Sequence, residues 1–163
     1  KNRRIAIDVF DIDSESPNFG RRCIEALKAP GFHFHGLDIS YNHIKYDWAD
    51  TKALTGFLSK RKDSIISCTT EGGLFEYAAD EHIIANLNAL YDNSPQDTRI
   101  TGSLFYEIDK VDPTIPAMAE VSGGGLRFLG LAGFEKVLQK TKWKVENTIK
   151  DKNPVYIIAT LKK

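Results

Sequence analysis

The apolar positions of this chain fall into two spacings that take turns. Strand-like runs cover residues 4–10 (RIAIDVF), 32–39 (FHFHGLDI), 64–69 (SIISCT), 99–106 (RITGSLFY), 143–149 and 155–161. Between them the period becomes helical. Ser16 and Pro17 open a helix whose face is Phe19, Cys23, Ile24 and Leu27, and Pro30-Gly31 stops it. Asp50 or Thr51 caps a second through Ala53, Leu54, Phe57 and Leu58. Asp80 caps a third that carries Ile83, Ile84, Leu87 and Leu90, and residues 131–139 form a fourth with Phe134, Val137 and Leu138 inward. Residues 107–129, with Pro113, Pro116 and the triplet Gly123 to Gly125, read as a long irregular loop of the kind that serves as a lid.

Single strands alternating with helices imply an α/β fold with a mostly parallel sheet covered on both faces. The last two runs flank the turn DKNP, a terminal hairpin expected to supply the only antiparallel pair. The centre of the pattern is residues 63–90, a strand, a small polar turn (TEGG) and a helix. In an open parallel sheet, ligands sit beyond the carboxyl ends of the strands, so residues 69–77 are the first candidate for a site wall. An ordinary strand-to-helix connection has the same pattern.

The 163 residues are 42% hydrophobic and 27% charged, which suits one domain with a buried core. Lys and Arg number 22 and Asp and Glu 22, so no global field recruits nucleic acid or an anionic membrane. Lys136, Lys140, Lys142 and Lys144 form a local basic run that reads as a solvated face. Cys23 and Cys68 match no metal or redox spacing and read as two buried thiols in a reducing compartment. No membrane-spanning apolar run and no signal pattern is present, so the expected location is cytoplasmic, with oligomeric state open.

An α/β pattern whose last helix precedes an antiparallel hairpin resembles the class I S-adenosylmethionine-dependent methyltransferases. Three local features fall in that family's order. Asp8, in RIAIDVF with Val9 beside it, resembles the second-strand acid that accepts hydrogen bonds from the ribose hydroxyls; the plainer reading is a carboxylate capping the next loop. Asp47 and Trp48, in YDWAD, resemble the acid and neighbour that hold adenine, the indole packing on the base. Thr69, Thr70 and Gly72, in CTTEGG, take the fourth-strand position that lines the methionine side. EGGLFEY also resembles a segment of the leucine carboxyl methyltransferase group, and GLAGFEKVLQKTKWKV the family's late helix and sixth strand.

The family's glycine-rich loop after the first strand is not in this sequence. Either that strand lies upstream of Lys1, or RIAIDVF is itself the first strand of a degenerate fold. Spacing favours the former: were Asp38 the ribose acid, too few residues would separate it from Asp47 to hold a helix and a strand, whereas Asp8 leaves room for both. The expectation is therefore a single methyltransferase-like domain over residues 1–163 that lacks its first strand and glycine loop, with exposed edges when isolated.

The resemblance implies S-adenosylmethionine as cofactor and methyl transfer to a small-molecule or carboxylate acceptor, mainly by alignment, with residues 107–129 closing over it. Glu71 is the candidate general base, or a helix-start acid favoured by the dipole. Tyr77 faces substrate or packs, and Arg127 meets an acidic substrate or is a solvated loop arginine. His33 and His35 alternate on one strand and read as structural, with no metal expected. A non-catalytic module of the same fold is the alternative, and a different nucleotide-using α/β enzyme a third.

Overall fold

The structure, a computed structural model, describes residues 4–71, 73–150 and 155–163. The chain forms two compact units, Lys1–Asp50 and Thr51–Lys163. The first is a strand, helix, strand unit: β1 (Ile5–Asp11), α1 (Glu15–Lys28) and β2 (Ile39–Lys45). β1 and β2 pair in parallel from Ile5 opposite Ile39 to Asp11 opposite Lys45.

The strand expected at residues 32–39 is not there. Gly31 and Gly36 adopt positive φ (87° and 77°), and the chain between α1 and β2 closes as tight turns, Phe32 N–H bonding Ala29 O and His35 N–H bonding Phe32 O. β2 is instead the more polar ISYNHIK, because pairing with β1 decides the strand and propensity only biases it. His33 and His35 therefore do not alternate on a strand; the His35 ring approaches Lys28 O at 3.3 Å. α1 buries Pro17 and leaves Phe19 71% exposed.

The second unit contains α2 (Lys52–Leu58), β3 (Ser67–Thr70), α3 (Leu74–Tyr77), α4 (Asp80–Asn93), β4 (Arg99–Phe105), α5 (Thr114–Val121), α6 (Gly130–Leu138), β5 (Lys144–Lys150) and β6 (Tyr156–Lys162). Its sheet has the order β3-β4-β6-β5. β3 and β4 are parallel, but β6 is antiparallel to both β4 and β5, so the hairpin does not supply the only antiparallel pair. It folds back between β4 and β5, which fixes two antiparallel ladders at once. The DKNP turn lies outside the described residues. The chain is thus α/β with one two-stranded parallel sheet and one four-stranded mixed sheet; the single, mostly parallel sheet expected from the pattern is not seen.

The core of this unit collects Ile83 and Leu87 from α4, Phe134 from α6, Leu104 from β4, and Ile157 and Leu161 from β6, all fully buried. Each such side chain contributes roughly 1.5–3 kcal/mol of burial. Trp143 anchors the start of β5, its indole N–H donating to Leu87 O at 2.7 Å and its ring meeting Tyr91 edge-on at 5.6 Å. Asp80 is the first residue of α4 and does not cap it; the cap position is Ala79.

Residues 107–129 are not an irregular loop, since α5 occupies their centre. Prolines obscured it, yet Pro113 is the N-cap and Pro116 lies in the first turn, where backbone N–H groups have no intrahelical partner. The triplet ends the helix: Gly123 and Gly124 hold φ of 103° and 75°, and Gly124 N–H reaches back five residues to Ala119 O. No helix among the described residues is long and apolar enough to cross a membrane.

Cys23 is exposed, against expectation, because it lies outside the strip of α1 that meets β2, whereas Cys68 is half-buried on β3 and burial pushes its thiol up to about 11. With an aromatic disulfide reagent at about pH 8, Cys23 is expected to react quickly and Cys68 only after unfolding, since the thiolate is the reactive form. Two equally fast thiols would contradict this burial.

Candidate functional site

Within the first unit, Asp47 and Trp48 lie beyond the carboxyl end of β2, whereas Asp8 and Val9 lie within β1. β1 runs on to Asp11, so Asp8 lies inside the strand, where its carboxylate accepts a 2.8 Å hydrogen bond from Asn42 of β2. Val9, opposite His43, projects to the other face. The strand-end acid is Asp11. Its Oδ1 accepts the Asp13 N–H at 2.9 Å, and its carbonyl accepts the Tyr46 N–H at 3.0 Å.

Two residues past β2, Asp47 organises a turn: its Oδ1 accepts the Ala49 N–H at 2.9 Å and its carbonyl the Asp50 N–H at 3.0 Å. Trp48 is half-buried beside it. Between these acids sits Tyr46, edge-on to Phe10 at 5.3 Å, its hydroxyl pushed up to about 12 by burial and then by the charges of Asp50 and Asp47.

In the second unit, Thr70 ends β3 opposite Gly102 of β4, and its hydroxyl accepts the Leu74 N–H at 3.0 Å, holding the start of α3. Phe75 of α3 lies directly over Gly102, so close that an added Cβ would clash with its ring carbons Cδ2 and Cε2 and meet Thr70 Cγ2 at 2.8 Å. The ring is fully buried and packs on Phe134 at 4.6 Å. Thr69 and Glu71 are exposed, and Gly72 lies outside the described residues.

Glu76, next along α3, is only 3% exposed and accepts a short hydrogen bond from the Ser103 hydroxyl. Arg127 clasps the same turn. Its N–H bonds Glu76 O at 2.8 Å, and its guanidinium bonds Ala78 O and the Asp80 carboxylate. It is therefore a structural clamp and not a solvated loop residue.

Beyond the carboxyl end of β4 opens a cavity of about 280 Å³. Its floor is Phe105, the last residue of β4, and Tyr156, the first of β6, with ring centroids 4.5 Å apart. Ile115, Met118 and Ala119 of α5 make one wall, and Tyr77 and Leu126 contribute to the rest. Burial raises the Tyr156 hydroxyl above its usual value, with further contributions from the charges of Glu76, Tyr77 and Glu71. Apolar and aromatic lining with a few polar groups is the make-up of a small-molecule site.

No family model matches the sequence, and no curated protein does. Solved structures do. A possible exported protein from Bordetella parapertussis superposes over 96% of this chain with a TM-score of 0.62 at 12% identity. The mitomycin 7-O-methyltransferase MmcR covers 98% with a TM-score of 0.60 at 14% identity, and OxaC, solved with SAH and oxaline, 95% with 0.56 at 14%. The chain has their fold. It spans about half of their length or less, 52%, 42% and 35% respectively.

Each group of predicted residues stays within its own unit. Asp8, Val9, Asp47 and Trp48 belong to the first, and Thr69, Thr70 and Glu71 to the second. Asp11, Glu76, Tyr156 and the α5 wall were not anticipated. For Asp11, the sequence signal was Phe10, a β-favouring residue that carries the run on to this second acid. No sequence signal marks Glu76 as buried.

Gly102→Ala is expected to lower stability by about 1–3 kcal/mol in urea unfolding, through displacement of Phe75; an unchanged midpoint would contradict the packing. Because the folded-state value of Tyr46 lies above its unfolded one, its contribution is complete below pH 10 and is lost as pH rises toward about 12. Tyr46→Phe should flatten that part of the stability profile, and a profile identical to the parent's would refute the assignment.

Proposed function

We propose that residues 1–163 are part of an S-adenosylmethionine-dependent methyltransferase acting on a small molecule. The observation that carries this reading is the carboxyl end of a parallel pair, where Asp11 ends β1 with Asp13 just beyond it, and Asp47, the half-buried Trp48 and Asp50 follow β2. Such an edge repels phosphate, accepts hydroxyl and amino hydrogens, and favours positive charge. It suits a nucleoside that carries a sulfonium and no phosphate, and it disfavours the dinucleotides and nucleoside triphosphates of other α/β enzymes. The shared fold supports the same reading without specifying it, since one fold hosts many chemistries.

In this reading Asp11, with Asp8 further back on the strand, receives the ribose hydroxyls, and Val9 packs nearby. Asp47 and Trp48 hold adenine. The bound cofactor supplies the methyl group; the chain binds and orients the two reactants. Glu71 is the exposed carboxylate available to take a proton from the acceptor, and the cavity under α5 receives that acceptor, whether a neutral small molecule or a carboxylate. The reading also includes a strand and glycine-rich turn from outside residues 1–163.

A non-catalytic module of this fold is the second reading. One observation favours it: Gly123 to Gly125 close the end of α5 and do not open a helix after a strand, so they form no cofactor cradle. Calorimetric titration of a natural protein containing residues 1–163 with S-adenosylhomocysteine decides between the two. Micromolar binding is expected, weakened about tenfold or more by Trp48→Ala through lost stacking and also by Asp11→Ala. A folded protein that does not bind would replace the enzyme reading with the module.

A further inference from the structure

The cavity of the second unit has an electrostatic character that its apolar lining hides. Ser103 and Phe105 are two residues apart on β4 and so share one face. The hydrogen bond from Ser103 therefore places the Glu76 carboxyl group on the face whose end is the cavity floor. Glu71 follows β3 directly, and Tyr77, adjacent to Glu76, forms part of the wall. Burial raises the Tyr156 hydroxyl above its usual value, and the charges of Glu76, Tyr77 and Glu71 add to that.

Among the described lining residues none is cationic. The arginine closest in sequence to the lining residue Leu126 is Arg127, and its guanidinium is taken by Ala78 O and Asp80. Releasing it for a ligand would break the clasp on the α3 to α4 turn. Aromatic faces add to the same preference: Tyr77, Phe105 and Tyr156 present negative ring faces, which attract ammonium groups and repel carboxylates.

We infer that this cavity binds an apolar small molecule bearing a basic nitrogen and discriminates against the corresponding carboxylic acid. The inference rests on reading the cavity as the acceptor side of the proposed enzyme, and it selects among the acceptors which that reading leaves open. An aryl ring seats on Phe105 and Tyr156 beneath α5, and the ammonium group lies toward Glu71 and Glu76.

The test uses two compounds that share the phenethyl group, phenethylamine and 3-phenylpropanoate, with phenethyl alcohol as the neutral reference. Binding is read from chemical-shift changes of the Ile115 and Met118 methyl groups in the natural protein containing residues 1–163. The amine should bind at least about tenfold more tightly than the acid, with the alcohol between them. Met118→Trp, on the exposed helix α5, should fill the cavity and weaken the amine about tenfold or more without unfolding the protein. Glu71→Gln, at an exposed position, should shrink the difference between amine and acid.

Acid binding equal to or tighter than the amine would overturn the inference, as would amine binding unaffected by Met118→Trp. The S-adenosylhomocysteine titration separates the two levels. Amine-selective binding in a protein that ignores S-adenosylhomocysteine keeps this inference and removes the enzyme, whereas cofactor binding beside an acid-selective cavity keeps the enzyme and overturns the inference.

Discussion

Much of the second unit depends on one close approach, that of the Phe75 ring to the bare backbone of Gly102. Because β4 carries no side chain there, α3 can lie directly against the sheet next to the end of β3. Thr70 holds the beginning of that helix, and Phe134 of α6 seals the ring from the other side. Interiors packed at crystal-like density have no slack to absorb a methyl group at such a point. The short turn between β3 and α4 is thereby held, and with it Glu76 and Tyr77, the two residues that connect the core to the cavity.

Charge placement follows from the same turn. Glu76 is carried into the interior by its position between Phe75 and the Arg127 clasp, and the Ser103 hydroxyl hydrogen-bonds its carboxyl group. Burying a carboxyl group is costly unless hydrogen bonds compensate. A turn that keeps such a group next to an apolar cavity holds an acidic influence where a ligand would rest. The first unit shows the opposite arrangement, with its acids at an exposed strand edge, engaged with backbone N–H groups of their own turns. Polar ends to strands and an apolar cavity under a helix are different environments.

Part of this was legible in the chain. The β runs at 4–10, 99–106 and 155–161 are strands because β-branched and aromatic residues alternate there, and α4 and α6 appear because their apolar residues recur at helical spacing. Other elements misled for identifiable reasons. FHFHGLDI looks extended, but Gly31 before it and Gly36 within it turn the chain, and a polar segment becomes β2 through its ladder with β1. Pro113 and Pro116 looked like loop markers, yet both stand where a helix start needs no N–H donor. Cys23 looked apolar and buried, but the short helix face that meets β2 does not include it.

The sequence by itself determined the α/β class, the terminal hairpin and the acidic character of the strand ends, because these rest on local spacing and on residue chemistry that neighbours along the chain already express. Only the tertiary structure decided that β6 inserts between β4 and β5, that Asp11 and not Asp8 ends its strand, that Arg127 is a clamp, and that Tyr156 and Phe105 meet under α5 as a cavity floor. Those outcomes bring together residues distant in the chain. Which distant pair meets is set by ladders, packing and buried hydrogen bonds, which no short window of sequence contains.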